Sequence, residues 1–214
     1  MKSTAIILVL FLFSGHVFGQ KWSLGLKAGG DLSSIKETVT KTIPPTVIFP
    51  YTSSDYKSLP NFQFGFVSKV QLNDHIGLTF EPGFIQKGAK GGVYDANLRF
   101  GYFDVPVLLT YSPIKKINIE IGPELGYRLY FKNNSISVDF PYTKWDFSAI
   151  IGLSYDINEK FNIGSRYSSS LSKMNDNIVL TEDGNGGQSI IGTIDVDKQN
   201  RYFEVFVRYY LFKN

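Results

Sequence analysis

Hydrophobic and polar residues alternate along residues 117–130, and this stretch gives the clearest structural signal in the chain. Its odd positions are Ile117, Ile119, Ile121, Pro123, Leu125, Tyr127 and Leu129, whereas its even positions are all polar or small. Side chains alternate between the two faces of a strand, so the pattern predicts one strand with an apolar and a polar face. An ordinary strand has about 5 or 6 residues, whereas a tilted strand crosses a bilayer with about 9–11. The stretch therefore has the length of a membrane-crossing strand.

Similar alternation recurs seven more times. The predicted strands cover residues 22–30, 61–72, 76–86, 99–111, 117–130, 145–155, 160–171 and 201–212. Long connections (31–60, 87–98, 131–144, 172–200) alternate with short ones (73–75, 112–116, 156–159), so every short connection falls at the same end of an up-and-down arrangement. Outer-membrane barrels have short periplasmic turns and longer extracellular loops. The prediction is all-β: an eight-stranded antiparallel up-and-down transmembrane β-barrel with both termini in the periplasm.

A soluble lipocalin-like barrel would also alternate, but with its apolar face inward. The distribution of aromatic residues favours the membrane barrel. Aromatic residues of the apolar face gather near the predicted periplasmic ends, at Trp22, Tyr111, Tyr155, Phe161 and Tyr209. Phe62, Phe84, Phe103 and Trp145 lie toward the opposite ends and complete a second possible girdle. Paired aromatic girdles are typical of membrane barrels.

The N-terminus predicts export. Residues 1–19 combine Lys2 with a short apolar run over residues 5–13, as in a secretory signal peptide, and leave residues 20–214 as the barrel domain. The apolar run is too short for a membrane-spanning helix of about 20 residues. The chain contains no Cys, which excludes disulfides and thiolate chemistry. A net charge of +3 without a basic run gives no support for nucleic-acid binding.

Several strand segments also resemble a known family. They are GLKAGGDLS (25–33), EPGFIQKG (81–88), YFDVPVLLTY (102–111), IGPELGYRLY (121–130), RYSSSLSKM (166–174) and VRYYLF (207–212). Together they are similar to the PorT-like outer-membrane β-barrel family of Bacteroidetes, over about residues 20–214. The resemblance implies an integral protein of a Gram-negative outer membrane with an eight-stranded barrel. Most members of that family have no assigned activity, and the namesake is tied to type IX secretion. Outer-membrane proteins often end on an aromatic residue. This chain departs from that pattern, because Lys213 and Asn214 follow the aromatic Phe212.

The polar faces of the strands place many charges in the predicted lumen. The cations are Lys27, Lys69, Arg128, Arg166 and Arg208, and the anions are Glu81, Asp104, Glu120, Glu124, Asp146 and Glu204. An eight-stranded barrel is just wide enough to be filled by side chains, and unpaired charges there would be expensive. Five cations against six anions therefore predict a salt-bridged, plugged lumen. A narrow ion path or proton relay is the alternative.

Candidate chemistry is sparse. After removal of the signal peptide, His75 is the one remaining histidine, and it falls in a predicted periplasmic turn, where it cannot serve as a base at the extracellular rim. The glycine-rich run at residues 183–187 lacks the spaced ligands of a calcium loop and the Lys-Ser/Thr of a phosphate loop. No catalytic, cofactor or metal site is expected. Lys87, Lys90 and Arg99 flank the second long loop and could meet lipopolysaccharide phosphates.

Three functions remain open. The first is a non-enzymatic outer-membrane barrel that contacts lipid and lipopolysaccharide and displays loops 31–60 and 172–200 for a protein or glycan partner or for envelope integrity. The second is a narrow channel or a secretion-associated, type IX-like component. The third is a barrel enzyme acting on lipid or peptide, for which the sequence offers no constellation of residues.

Overall fold

The structure, a computed structural model, describes residues 21–42, 56–91, 96–133, 143–184 and 187–213. The predicted signal peptide at 1–19 lies outside the described residues. These described residues form ten strands: β1 Lys21–Thr42, β2 Tyr56–Gln71, β3 Ile76–Phe80, β4 Gly83–Gly91, β5 Ala96–Ile114, β6 Ile117–Asn133, β7 Trp145–Asp156, β8 Phe161–Ser170, β9 Met174–Gly184 and β10 Gly187–Lys213. The described residues contain no helix long and apolar enough to cross a bilayer.

The strands close into a ring. The strands pair antiparallel in the order β1–β10–β8–β7–β6–β5. Next to β5 lie the two short strands β3 and β4, one after the other, and each of them pairs with β5 on one side and with β2 on the other. β2 pairs with β1 from Lys21↔Gln71 to Ser33↔Leu59, which joins the two ends of the sheet. The predicted eight-stranded antiparallel barrel is confirmed, with β9 as an additional strand that pairs with β10 alone among the described residues.

One end of the barrel carries the short connections and the two ends of the described chain, and it is called the turn end here. A bond of 2.9 Å from the Leu72 N–H to the Ile76 carbonyl oxygen closes the first turn. Lys116 adopts a φ of 78°, a left-handed conformation that lets β5 turn back into β6 within two residues. The opposite end, where the longer connections lie, is called the loop end.

The prediction that residues 31–60 and 172–200 are loops is wrong for much of their length. β1 continues to Thr42 and pairs with β10 as far as Thr193, while β2 already begins at Tyr56. Residues 174–184 form β9, which pairs with the first half of β10. Likewise, β4 extends to Gly91 into the predicted loop 87–98. These extensions lack the apolar–polar alternation of a strand that separates lipid from the lumen. The alternation therefore identified only the part of each strand whose outer face contacts lipid.

The third predicted strand, residues 76–86, is interrupted at Glu81 and Pro82. Proline has no N–H to donate to a ladder, and the strand breaks into β3 and β4 around it. The Phe66 N–H still donates to the Pro82 carbonyl oxygen at 2.9 Å, so the barrel wall remains continuous. The Glu81 side chain points into the lumen and is 3 % exposed.

The barrel is inverted relative to a soluble protein. Its outward face is apolar, with Phe66 67 % and Ile121 53 % exposed, while Arg166 and Glu204 are each 1 % exposed in the interior. A soluble lipocalin-like barrel would bury the apolar side chains instead, so this distribution excludes it. The predicted girdle residues Trp22, Tyr111, Tyr155, Phe161 and Tyr209 lie on the outward face beside the short turns. The rings of Phe161 and Tyr209 are 4.9 Å apart.

Candidate functional site

The interior of the barrel contains a dense group of ion pairs close to its middle. This arginine cluster consists of Lys27, Arg166 and Arg208 with Glu81, Glu120 and Glu204, contributed by β1, the β3–β4 junction, β6, β8 and β10. Inward-facing strand positions from opposite walls supply it, because alternate residues of each strand point into the lumen. Three cations face three anions, so the cluster is neutral when all six groups are charged.

Arg166 is the centre of the arginine cluster. Its guanidinium donates to both carboxylate oxygens of Glu81, from Nη1 at 2.6 Å and from Nη2 at 3.0 Å. Its Nε donates to Glu120 Oε2 at 2.8 Å, and Nη1 lies 3.3 Å from Glu204 Oε1. The planar guanidinium thus bridges three carboxylates from three different parts of the ring, which a lysine could not do with the same geometry.

Arg208 and Lys27 complete the arginine cluster. The Arg208 Nε donates to Glu81 Oε1 at 2.6 Å, and its Nη1 donates to Glu120 Oε1 at 2.7 Å. Lys27 Nζ lies 3.2 Å from Glu81 Oε2 and 3.0 Å from Glu204 Oε1. The buried ring of Phe206 packs against all three cations, at 4.4 Å from the Arg166 guanidinium, and adds cation–π attraction.

Two inward-facing glycines make room for these large side chains. A Cβ on Gly152 would lie 2.3 Å from Arg166 Cγ. A Cβ on Gly164 would lie 2.5 Å from Phe206 Cζ. The glycines of the polar face therefore allow the Arg166 and Phe206 side chains to cross the narrow lumen.

A second group of charges, the Lys87 cluster, lies nearer the loop end. Lys87 is fully buried, and its Nζ lies 2.7 Å from Glu124 Oε1, 3.2 Å from Asp146 Oδ2 and 3.6 Å from Asp104 Oδ2. Ser170 donates to Asp146 Oδ1 at 2.6 Å. The Tyr202 hydroxyl donates to Glu124. One ammonium group therefore holds three carboxylates together across four neighbouring strands.

An apolar layer packs around the Lys87 cluster and extends toward the loop end. It is formed by Ile35, Ile85, Ala89, Leu98, Phe100, Tyr102, Met174 and Tyr202. The rings of Tyr102 and Tyr202 each lie 5.1 Å from Lys87 Nζ. Between the two charged clusters, a cavity of about 20 Å³ is lined in part by Lys27, Glu81 and Asp104, and it is about large enough for one water molecule. From the arginine cluster to the apolar layer, the described lumen is thus filled by paired charges and by aromatic and aliphatic side chains.

Comparisons with known proteins agree with this architecture. Residues 18–176 match the family model described as an outer membrane protein beta-barrel domain. The chain belongs to this outer-membrane β-barrel family. Among solved structures, OprG from Pseudomonas aeruginosa is 12 % identical with a TM-score of 0.54, covering 90 % of this chain and 96 % of that one. Neisserial surface protein A is 11 % identical with a TM-score of 0.52, covering 88 % and 97 %. No curated protein sequence matches this chain significantly.

Two of the predicted lumen charges in this outer-membrane barrel lie outside both clusters. Lys69 is partly exposed toward the turn end, where its Nζ is 3.5 Å from Asn118 Oδ1. Arg128 lies toward the loop end beyond Glu124, and its backbone N–H donates to the Lys144 carbonyl oxygen at 2.7 Å. The other nine predicted lumen residues belong to the arginine cluster or the Lys87 cluster.

The placement of Lys87 as a loop-flanking surface cation is wrong. Its position, six residues after the inward-facing Glu81, has the parity of an inward side chain, and this parity was the available signal. The glycine-rich sequence that follows it pointed instead to a loop. Of the three cations considered for lipopolysaccharide, Lys90 is exposed, whereas Arg99 donates to Gln86 Oε1 at 2.7 Å and is partly buried.

His75 lies in the turn between β2 and β3. Its Nδ1 is 3.0 Å from the carbonyl oxygen of Ser112. Among the residues that the structure describes, no group of three or more His, Cys, Asp or Glu side chains is placed to hold a metal ion. The tip of the glycine-rich run, residues 185–186, lies outside the described residues.

Proposed function

We propose that this protein is a non-enzymatic outer-membrane barrel that presents a paired β-sheet to a protein partner outside the cell. The sheet, named the platform here, consists of residues 34–42 of β1, residues 187–200 of β10 and all of β9. The observation that carries the proposal is that these strands remain paired well beyond the apolar belt of the barrel. The proposed orientation places the turn end and both termini in the periplasm and the platform at the cell surface.

The limit of the apolar belt defines where the platform begins. Among the side chains of β1 that the structure describes, Leu32 is the last large apolar one that faces outward, at 53 % exposure, and the next exposed outward positions are Lys36 and Thr38. Among the described side chains of β10, which begin at residue 197, the belt begins at Phe203. β10 has 27 residues, whereas about 9–11 are needed to cross a bilayer. The surplus length supports a platform that stands in water rather than in lipid.

The free edge of β9 indicates how a partner would bind. β9 pairs with β10 from Lys198↔Met174 to Gly187↔Gly184, and no other strand of the described chain pairs with it. An unpaired edge presents alternate N–H and C=O groups that can accept a further strand. We therefore favour a protein partner that adds an extended segment to β9, over a glycan or a role in envelope integrity alone.

A shortened platform tests this proposal. Asp176 and Val196 are direct partners in the β9–β10 pairing, so an Asn-Gly turn can replace residues 177–195 and close a short hairpin. Cross-linking in native outer membranes, followed by purification, is expected to yield a partner complex with the wild type and at least tenfold less with this variant. A control variant shortens the connection at residues 134–142, outside the platform, and is expected to retain the complex. Equal recovery with both variants would contradict the proposal.

The main alternative is a narrow channel or a secretion-associated component. Membership of a PorT-like subgroup from Bacteroidetes, proposed from the strand motifs, would favour the secretion role. The filled middle of the lumen favours the binding role, because the arginine cluster and the apolar layer occupy its width.

We expect the purified protein to show no stable conductance in planar bilayers. The side chains of the arginine cluster are held by several short ion pairs, so a hydrated ion could pass only after these pairs separate. Single-channel recording at increasing voltage measures this directly, with an open porin as the positive control. A reproducible open state of the wild type would contradict the plugged-lumen interpretation and support the channel alternative.

A further inference from the structure

The turn end contains a cavity that neither the ion-pair clusters nor the platform explains. Its volume is about 560 Å³, and it opens from the lumen to the solvent on that side. Five lysines line it, namely Lys21, Lys69, Lys115, Lys116 and Lys213, together with the two carboxylates of Asp74 and Asp156. The lysines come from β1, β2, the β5–β6 turn and β10, so the closed ring brings them to one opening.

The positive charge of this cavity is not neutralised within the described chain. None of the five lysines has a carboxylate within 4 Å among the residues described. The Asp156 carboxylate instead accepts hydrogen bonds from Asn118 at 3.2 Å and Asn162 at 2.8 Å. This differs from the arginine cluster and the Lys87 cluster, where cations and anions pair at close distances. Five cations and two anions leave a net charge of +3 in the cavity lining.

Tyr210 provides a second and independent sign of a ligand. Its side chain lines the cavity, and the residue is 6 % exposed. Its hydroxyl is buried and has no hydrogen-bond partner among the residues that the structure describes. A buried phenol hydroxyl normally donates a hydrogen bond to an acceptor, and the absence of this hydrogen bond costs about 1–3 kcal/mol. An acceptor oxygen of a bound anion would complete this bond.

We propose that the cavity binds a phosphate group. A phosphate monoester carries a charge of about −1.5 to −2 and three strong acceptor oxygens, which suits several ammonium groups and one phenolic donor better than a single carboxylate does. Lys69 reaches farthest inward and has only the long contact of 3.5 Å to Asn118. The phosphate could belong to a soluble phosphate monoester, or to a phospholipid headgroup in the adjacent leaflet, whose phosphodiester has one negative charge and two free acceptor oxygens.

Titration of the full-length mature protein tests the site. Glycerol 3-phosphate is titrated by calorimetry into the protein in phosphatidylcholine nanodiscs. The K69Q/K115Q/K116Q variant is expected to bind at least about tenfold more weakly, since three of five cations are removed. Tyr210→Phe, which removes only the hydroxyl, is expected to weaken binding about threefold. The control variant K36Q/K57Q/K90Q removes three exposed lysines from the loop end and is expected to bind within about twofold of the wild type.

A second set of nanodiscs distinguishes the two sources. Nanodiscs of phosphatidylglycerol are compared with those of phosphatidylcholine, using the same soluble ester. If lipid headgroups occupy the cavity, the apparent affinity for glycerol 3-phosphate falls in phosphatidylglycerol for the wild type but not for the triple cavity variant. If the source is soluble, the lipid change has the same effect on both proteins. Equal affinity of the cavity and control variants, or no binding of the ester by the wild type in phosphatidylcholine, overturns the proposal.

Discussion

Arg166→Met is expected to lower the free energy of unfolding by about 3–5 kcal/mol, which is among the largest effects of any single substitution in this barrel. The guanidinium is buried and bonds to Glu81, Glu120 and Glu204. Methionine fills much of the same volume but leaves these carboxylates with fewer positive partners in a narrow, poorly hydrated space. Urea unfolding from lipid vesicles, followed by the fluorescence of Trp22 and Trp145 on the outer face, measures the loss.

Arg201→Met is the matched control. Arg201 lies on β10 with an exposed side chain, and its Nε donates to the Ser34 hydroxyl oxygen at 2.9 Å. Its replacement is expected to change the free energy of unfolding by no more than about 1 kcal/mol. If the two arginine variants were equally stable, the arginine cluster would not hold the barrel together as described.

Lys87→Met is expected to have a comparable effect, also about 3–5 kcal/mol, because it removes the cation on which three carboxylates converge. The repulsion among Glu124, Asp146 and Asp104 then has no opposing charge within the Lys87 cluster. The same urea titration gives the free energy of unfolding. The exposed Lys90, three residues farther along β4, gives the control Lys90→Met, which is expected to change stability by less than about 0.5 kcal/mol.

A double variant separates charge from packing at Lys87. In K87M/E124Q, one of the unpaired carboxylates is removed while its volume is kept, so at least about 1 kcal/mol of the lost stability should return. Failure of the double variant to recover any stability would show that the loss comes from the packing of the Lys87 side chain, whose ammonium lies against the rings of Tyr102 and Tyr202, and not from repulsion among the carboxylates.

Strand parity predicted much of the barrel because lipid and lumen impose opposite demands on alternate residues. The apolar positions from Ile117 to Leu129 are outward, and Glu120 and Glu124 are inward, as the alternation indicated. This alternation fails beyond the apolar belt, where the outer face of a strand no longer contacts lipid. Ser33, Ser34 and Ile35 are all buried in succession at such a place, and β1 continues through them as a strand.

The partners of each charge could not be predicted from parity. Parity states that Arg166 and Glu81 both face the lumen, but their contact depends on the stagger between strands around the whole ring. The register of β2 is the same against β3 and the start of β4, and its one irregularity among the described residues lies between Ser58 and Gln63, where β2 has one residue more than β4. Lys87 lies on β4 opposite this irregularity, and no local pattern of the sequence marked its three carboxylate neighbours.

The pairing of β1 with β10 has a consequence for the order of assembly. Lys27 and Glu204 lie 177 residues apart in the sequence and meet only when the first and last described strands join. Until β1 and β10 pair, the arginine cluster lacks the contacts between members from β1 and β10. Its charged side chains then lie on the concave face of an open sheet instead of in a closed interior. Insertion of a half-formed sheet into hydrocarbon would expose those charges and the unpaired strand edges together. Closure of the sheet and the neutralisation of the interior are therefore one event, so the barrel gains its bilayer-compatible form late and cooperatively.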